Sequence, residues 1–185
     1  MNFKKLFINC FLTAAILFTA SYVMAKELPE YKAKAEFIVI VAGFVDWPED
    51  NSDNLEEPFT VGIIGKNPFG AYLKEAVRSK KINGRKIIIK DILIGDDLPL
   101  CDCDTLFITK KQYKYLPKIF SIIRDRHILT IGDGKKFAGK GVHIGLYRSG
   151  RKIRFAINQS AAKRDGLKIS SNLLRLASEV YGDAK

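Results

Sequence analysis

The sequence predicts an α/β fold: a Rossmann-like, mostly parallel sheet with helices on both faces and an antiparallel C-terminal hairpin. Short apolar runs of strand length alternate with segments of helical periodicity, which is the pattern of a parallel sheet. Two strand-like segments, 142–147 and 152–157, then follow each other across the turn 148–151 and predict the hairpin. A length of 185 residues, 47% of them hydrophobic, fits one folded domain and excludes a collagen-like or disordered chain.

The first 25 residues have the three parts of a secretory signal peptide. Two lysines precede an apolar run, Leu6–Ala20, and a segment with small residues ends at Ala25. We expect cleavage after Ala25, so that residues 26–185 form a single exported domain in the periplasm. An uncleaved membrane anchor is the alternative, although the run is short for a span of about 20 residues, and lipidation at Cys10 is another.

The chain is basic, with a formal net charge of +11 that falls by two, to +9, when Lys4 and Lys5 leave with the signal peptide. This balance favours an anionic partner, and its simpler interpretation is a solvated surface rich in lysine. Export removes nucleic acid from the possible partners.

The first predicted helix lies within the apolar run Tyr31–Val45. One face carries Phe37, Ile40, Val41 and Phe44, and a second carries Ile38, Ala42 and Val45. A helix that is apolar on two faces is either deep in a core or shared with another subunit. The run stops before a proline, and aromatic residues are enriched at protein interfaces. We therefore expect a partner or dimer interface at Phe37, Val41, Phe44, Trp47 and Pro48. For Trp47, a position in the core is the alternative.

A buried strand, Phe59–Ile64, runs into a glycine turn and then a helix from Ala71. The turn occupies the place of a phosphate loop, which makes Gly65, Asn67 and Gly70 a candidate weak ligand turn. It lacks the G-x-G-x-x-G and Walker patterns, and Phe69 would crowd a pyrophosphate.

The remaining elements follow from turn signals and periodicity. Asn158 is expected to cap a short helix ended by Gly166, and Ser170 or Ser171 to cap the last helix. An inward stripe of that last helix is predicted at Leu173, Leu174, Ala177, Val180 and Tyr181. We also predict a turn at Asn83–Gly84, a strand covered on both faces at 86–94, strands at 105–108 and 128–131, and a helix at 110–124 that Pro117 breaks or kinks.

Export leaves Cys101 and Cys103 in an oxidising space, with one residue between them. Three outcomes are open: a bridge between the two, a bridge between chains, or two thiols. With only His127 and His143 as further soft ligands, no zinc spacing is present, and we expect no metal and no cofactor.

The residues that catalysis needs are also sparse. His127 opens a buried strand and is expected to be structural, whereas His143 is expected to face solvent or a partner. Asp104 and its acidic neighbours are expected in solvated turns. An enzyme would have to use His143 or Asp104, so we expect a protein that is not an enzyme.

Six motifs in order resemble the YfiR-like family of exported bacterial proteins. The resemblance covers nearly all of residues 31–181, and Cys103 stands at a position where cysteine is common in that family, whereas Cys101 is additional. The motifs are Phe44–Pro48, Pro58–Gly70, Ile82–Arg85, Cys103 before Leu106–Ile108, Lys152–Asn158 and Gly166–Ala177.

The resemblance implies a Rossmann-related domain without a nucleotide site. It also implies a non-catalytic periplasmic repressor that binds the periplasmic sensor domain of a membrane diguanylate cyclase and so lowers cyclic di-GMP and biofilm formation. Dimerisation is implied as well. Other relatives resemble companions of sensor kinases or of outer-membrane receptors, and a small-molecule-binding module that uses the turn from Gly65 to Gly70 is the remaining alternative.

Overall fold

The computed structural model describes residues 30–48, 56–93, 103–124 and 126–182. Within these ranges the chain forms α-helices, two 3₁₀ segments (Lys110–Tyr115 and Lys135–Lys140) and strands. The helices are α1 (30–42), α2 (Ala71–Val77), α3 (Leu116–Ile123), α4 (Gln159–Arg164) and α5 (Ser171–Leu176). The strands are β1 (Val45–Asp46), β2 (Phe59–Ile64), β3 (Lys81–Ile82), β4 (Arg85–Ile92), β5 (Thr105–Ile108), β6 (Leu129–Asp133), β7 (Ile144–Ser149), β8 (Lys152–Asn158), β9 (Lys168–Ile169) and β10 (Glu179–Tyr181).

Eight strands form one mixed sheet in the order β10-β8-β7-β6-β5-β2-β4-β3. Five neighbouring pairs are parallel, and the two antiparallel pairs are β7 with β8 and β3 with β4. The predicted α/β class and the hairpin are thus confirmed. The hairpin is not the edge of the sheet, because β10 pairs in parallel with β8 on its outer side. A separate antiparallel pair, β1 with β9, joins the end of α1 to the segment after α4.

Apolar layers cover both faces of the sheet, as predicted. Alternate residues of each central strand point to opposite faces, so that Val61 and Ile63 pack on one side and Ile64 on the other. The larger layer holds α1 and α2 with buried residues of α4 and α5, and the smaller layer holds α3 and Phe137. None of the helices in the described ranges is long and apolar enough to cross a bilayer.

Three predicted elements differ from the structure. The last helix ends at Leu176 rather than continuing to Tyr181, because residues 179–181 form β10 beside β8. The helix predicted at 110–124 begins as a 3₁₀ segment and becomes α-helical only from Leu116, with Pro117 in its first turn. Strand β4 is only partly covered, since Lys86, Lys90 and Asp91 are exposed.

The local turn chemistry agrees with the predictions. Asn83 and Gly84 both have positive φ, 49° and 77°, in the two-residue turn between β3 and β4. The side chain of Asn158 caps α4 by accepting from the N–H of Ala161, and the Ser170 hydroxyl caps α5.

Candidate functional site

The carboxyl ends of β2, β5 and β6 lie together at the edge where α/β sheets commonly bind ligands. Protein side chains fill this edge. The Phe69 ring, 1% exposed, lies 4.8 Å from the Phe107 ring and 5.7 Å from the Tyr31 ring, both measured between centroids. The aromatic residue expected to crowd a pyrophosphate is therefore part of the core.

A buried ion pair closes the same edge at the end of β6. The Lys34 ammonium donates to Asp133 Oδ1 at 2.6 Å, and the Tyr31 hydroxyl donates to Oδ2 at 2.9 Å. The Lys34 and Asp133 side chains are only 1% and 2% exposed, and Glu30 pairs with the same lysine. This cluster fixes the N-terminal half of α1 over the sheet, and its one sequence signal is a lysine within an apolar run.

The proposed ligand turn is tied to the protein by its own side chains. Asn67 accepts from the N–H of Phe69 at 2.9 Å and donates to Asp91 at 2.8 Å. Gly65 has a φ of +94°, and a Cβ there would lie 2.5 Å from Thr109 Oγ1, so only glycine fits. At Gly70 no atom lies within 4 Å of the corresponding position. A ligand role for these residues remains a prediction.

Both histidines contact Asp165. The buried Nδ1 of His143 accepts the N–H of Thr130 at 3.1 Å, so the neutral ring carries its proton on Nε2, which lies 2.9 Å from Asp165 Oδ2. The expectation that His143 faces solvent is wrong, because it is 1% exposed. His127 Nδ1 lies 2.9 Å from the main-chain oxygen of Asp165.

These contacts lower the pKa of the Asp165 carboxyl group. Partial burial alone would raise its pKa, but the hydrogen bonds from His143 and Arg164 outweigh burial and lower the pKa. The contacts of this histidine–carboxylate pair are explained by a structural role, without a catalytic nucleophile. It links the starts of β6 and β7 to the turn after α4.

Asp104 also has a structural partner, so its predicted place in a solvated turn is wrong. Its carboxylate accepts two hydrogen bonds from the Arg85 guanidinium, at 2.7 and 3.1 Å, and one from the N–H of Thr60. The neighbouring Cys103 is disulfide-bonded and 6% exposed, while Cys101 lies outside the described residues. Within the described residues no cluster of three potential metal ligands occurs.

The predicted interface residues divide between core and surface. Val41 is buried, and so is the second face of α1 formed by Ile38, Ala42 and Val45. Phe37 and Pro48 are half-buried. Trp47 packs edge-on against Phe59 with 5.5 Å between ring centroids, and its Nε1 is buried without a hydrogen-bond partner. Only Phe44 of the predicted set is exposed, at 40%.

Phe44 and Ile40, which is 46% exposed, line a groove between the end of α1 and the edge strand β3. The groove has a volume of about 350 Å³. Its apolar lining continues inward to Val39 and Ile82, and Lys80 and Lys81 stand at its rim. Sequence periodicity predicted α1, which forms one wall of the groove. It did not predict β3, because two residues are too few to show a strand pattern.

Comparison with known proteins gives the family. A family model described as YfiR/HmsC-like matches residues 31–178, which is most of the chain. The chain belongs to the YfiR/HmsC-like family. A search of curated proteins finds no match. The YfiR-like family is a regulatory one, and membership is consistent with a periplasmic regulator that acts on a membrane signalling protein.

Proposed function

We propose that this YfiR/HmsC-like protein is a non-catalytic periplasmic regulator. It binds the periplasmic domain of a membrane signalling protein, represses a diguanylate cyclase, and so lowers cyclic di-GMP and biofilm formation. The observation that carries the proposal is a contrast between two surfaces. The ligand edge of the sheet is filled by Phe69 and the Lys34–Asp133 pair, whereas the groove beside Phe44 is apolar and open.

The filled edge supports a role other than small-molecule chemistry. A metabolite at that edge would have to displace an aromatic ring from the core and break a buried ion pair, and both displacements oppose binding. The two histidines support the same view, since a general base needs a ring nitrogen free to reach a substrate. In His143 one nitrogen accepts from Thr130 and the other contacts Asp165.

The open groove supports a protein contact. Exposed aromatic and branched aliphatic side chains that line a concavity resemble the centre of protein interfaces, where anchors of the partner are buried. Ile40 and Phe44 are large apolar residues exposed side by side at the end of α1.

Self-association belongs to the same proposal. The Ile38, Ala42 and Val45 face of α1 is used inside the chain, so a dimer contact would lie elsewhere. Val180 in the end strand β10, 42% exposed, and Leu176 at the end of α5, 73% exposed, are large apolar residues that offer such a surface. Sedimentation of the processed chain tests this, and a monomer at all concentrations would refute it.

The regulatory role is tested by deleting the gene and measuring cyclic di-GMP. We expect the level to rise, to fall again with the wild-type chain, and to stay high with Ile40→Ser/Phe44→Ser. Leu93→Ser is the matched control, since it removes an exposed apolar residue that lines neither the groove nor the surface proposed for self-association. Unchanged cyclic di-GMP on deletion would refute the cyclase assignment.

The expected cleavage after Ala25 has its own test. Mass spectrometry of the periplasmic fraction should find Lys26 as the first residue of the protein.

A further inference from the structure

We propose that the outer edge of β4 binds an extended segment of the partner protein, which joins the sheet as a further strand and alternates acidic with apolar residues. This inference rests on the proposed function for its biological setting and concerns a surface next to the groove, because β3 both lines the groove and pairs with β4. In such strand addition, main-chain hydrogen bonds supply affinity and alternate side chains supply specificity.

Within the described residues, one side of β4 has no neighbouring strand along most of its length. On the inner side β2 pairs with residues 87–92, whereas on the outer side β3 pairs only with Arg85 and Lys86. Among the described strands β3 is the last at this end of the sheet, so residues 87–92 form an open outer edge. This edge is about as long as a typical strand and can therefore pair with a strand of ordinary length.

The hydrogen bonds of β4 identify the main-chain groups that face outward. In a parallel pair the N–H and C=O of one residue point to the same side, and successive residues alternate. The carbonyl of Ile92 accepts from the N–H of Gly65, which directly follows β2, so Ile92 points inward. By alternation the main-chain groups of Ile87, Ile89 and Asp91 point outward. A row of such groups along an edge is a template for another strand.

One face of this edge carries lysines that have no ion pair. Ile87 is buried in the apolar layer of α1 and α2, so its neighbours Lys86, Ile88 and Lys90 point to the opposite face. Lys81 stands directly opposite Lys86 in the antiparallel pair. All three lysines are exposed, and none has an ion pair in the part of the chain that the structure describes. Because like charges on facing residues repel, carboxylates on an added strand would stabilise this face.

The other face of the edge favours apolar residues. Ile87 is buried in the layer below α1 and α2, and Ile89 is half-buried against the same layer. An added strand places every second side chain on this face, where apolar side chains would extend the layer. The expected segment therefore alternates acidic residues, beside the lysines, with apolar residues, beside Ile87 and Ile89.

A second copy of this chain fits the edge less well. When two β4 edges pair antiparallel about a twofold axis, the same face of both strands lies on one side of the joined sheet. Lys86 and Lys90 would then lie close to the same lysines of the other copy, and repulsion disfavours that contact. An anionic lipid surface would attract the lysines but has no main chain that could pair with the edge.

The test uses the processed full chain and three labelled synthetic peptides measured by fluorescence anisotropy. All three are extended sequences in which valine alternates with a charged residue. The first carries glutamate, the second carries lysine, and the third is the glutamate peptide with N-methylated amides. We expect the glutamate peptide to bind about tenfold or more tightly than the lysine peptide, with an advantage that shrinks as salt is raised. The N-methylated peptide keeps the charge but cannot pair as a strand, and it should also bind about tenfold or more weakly.

Charge-reversal variants locate the contact. Lys86→Glu/Lys90→Glu should weaken binding of the glutamate peptide about tenfold and improve binding of the lysine peptide. The control is Lys140→Glu/Lys152→Glu, which changes the net charge equally at exposed lysines away from β4 in the sheet order. An equal loss in the control would refute a specific site, because net charge alone would then explain binding.

Amide hydrogen exchange followed by NMR tests the edge itself. In the free protein the N–H groups of Ile89 and Asp91 should exchange faster than those of Ile88 and Lys90, which point toward β2, and the glutamate peptide should slow them. Protection of Ile89 and Asp91 in the free protein would overturn the inference, because the edge would then already be covered.

Three further results would overturn the inference: no binding of the glutamate peptide, equal affinity for the glutamate and lysine peptides, or equal affinity for the N-methylated peptide. These assays are independent of the cyclic di-GMP measurement, whose control Leu93→Ser changes no residue of this edge. Failure here with success there would discard the strand addition and keep the regulatory function. The reverse pair of results would keep the β4 contact and discard the cyclase.

Discussion

The buried pair of Lys34 and Asp133 gives the sharpest test of the fold. In Lys34→Met the methionine fills most of the lysine volume, but Asp133, whose side chain is 2% exposed, keeps the Tyr31 hydroxyl as its one side-chain hydrogen-bond donor among the described residues. Removing one partner of a buried ion pair costs about 3–5 kcal/mol, because the other charge remains desolvated. For a domain of this size each kcal/mol lowers Tm by about 2–4 °C, so we expect a decrease of about 6–20 °C.

Thermal unfolding followed by circular dichroism measures this shift, and a matched substitution isolates its cause. Lys80→Met removes a lysine of the exposed pair with Glu36, whose side chains are 44% and 49% exposed, and should change stability by no more than about 1 kcal/mol. The double variant Lys34→Met/Asp133→Leu should recover most of the loss, since apolar replacements of a buried pair are often neutral. A Lys34→Met protein as stable as Lys80→Met would refute the reasoning.

Three further predictions concern other contacts. Asp165 has a lowered pKa, so its contribution to stability is present above the unfolded pKa near 3.8 and is lost as the pH falls through the lower folded value. In urea unfolding, Asp165→Asn should therefore be less stable than wild type at pH 7, and the difference should shrink as the pH falls below 3.8. Gly132→Ala places a Cβ against the Phe137 ring and should cost about 1–3 kcal/mol, whereas Gly139→Ala meets only ordinary contacts and should be nearly neutral by the same assay. Arg85→Lys loses the two parallel hydrogen bonds to the Asp104 carboxylate and should lower the free energy of unfolding by about 3 kcal/mol. An unchanged midpoint in chemical denaturation would contradict a stabilising role for this pair.

The fold class could be predicted because it depends on local patterns. A strand covered on both faces is an uninterrupted apolar run, as in Phe59–Ile64, and its length separates it from the helices. Caps are equally local, so the prediction of Asn158 is confirmed, and Ser170 is one of the two residues predicted for the last helix. These signals require only the neighbours of each residue in the sequence.

The end of the last helix could not be predicted because a distant strand decides it. Ala177 leaves the helical region with a ψ of 140°, and the Ser178 N–H and hydroxyl both donate to the carbonyl of Phe155, at 2.9 and 2.7 Å. That carbonyl belongs to β8, so the chain continues as a strand beside it. Helical spacing of Leu173, Leu174 and Val180 contains no information about this partner.

The buried polar residues could not be predicted for the same reason. A lysine within an apolar run is normally expected at the surface, and the partner that keeps Lys34 inside stands 99 residues later. His143 is similar, since its burial depends on Thr130 from the neighbouring strand and on Asp165 beyond the hairpin.

The walls of the groove are fixed before any partner arrives. Val39 on α1 and Ile82 on β3 both line the groove and belong to the same buried apolar layer, with exposures of 6% and 3%. Ile40 on α1 and Phe44 in the two-residue turn that follows α1 therefore stand over a packed base. A partner binding there loses little free energy to ordering this protein, so that affinity is set by how well its own segment fits the apolar lining.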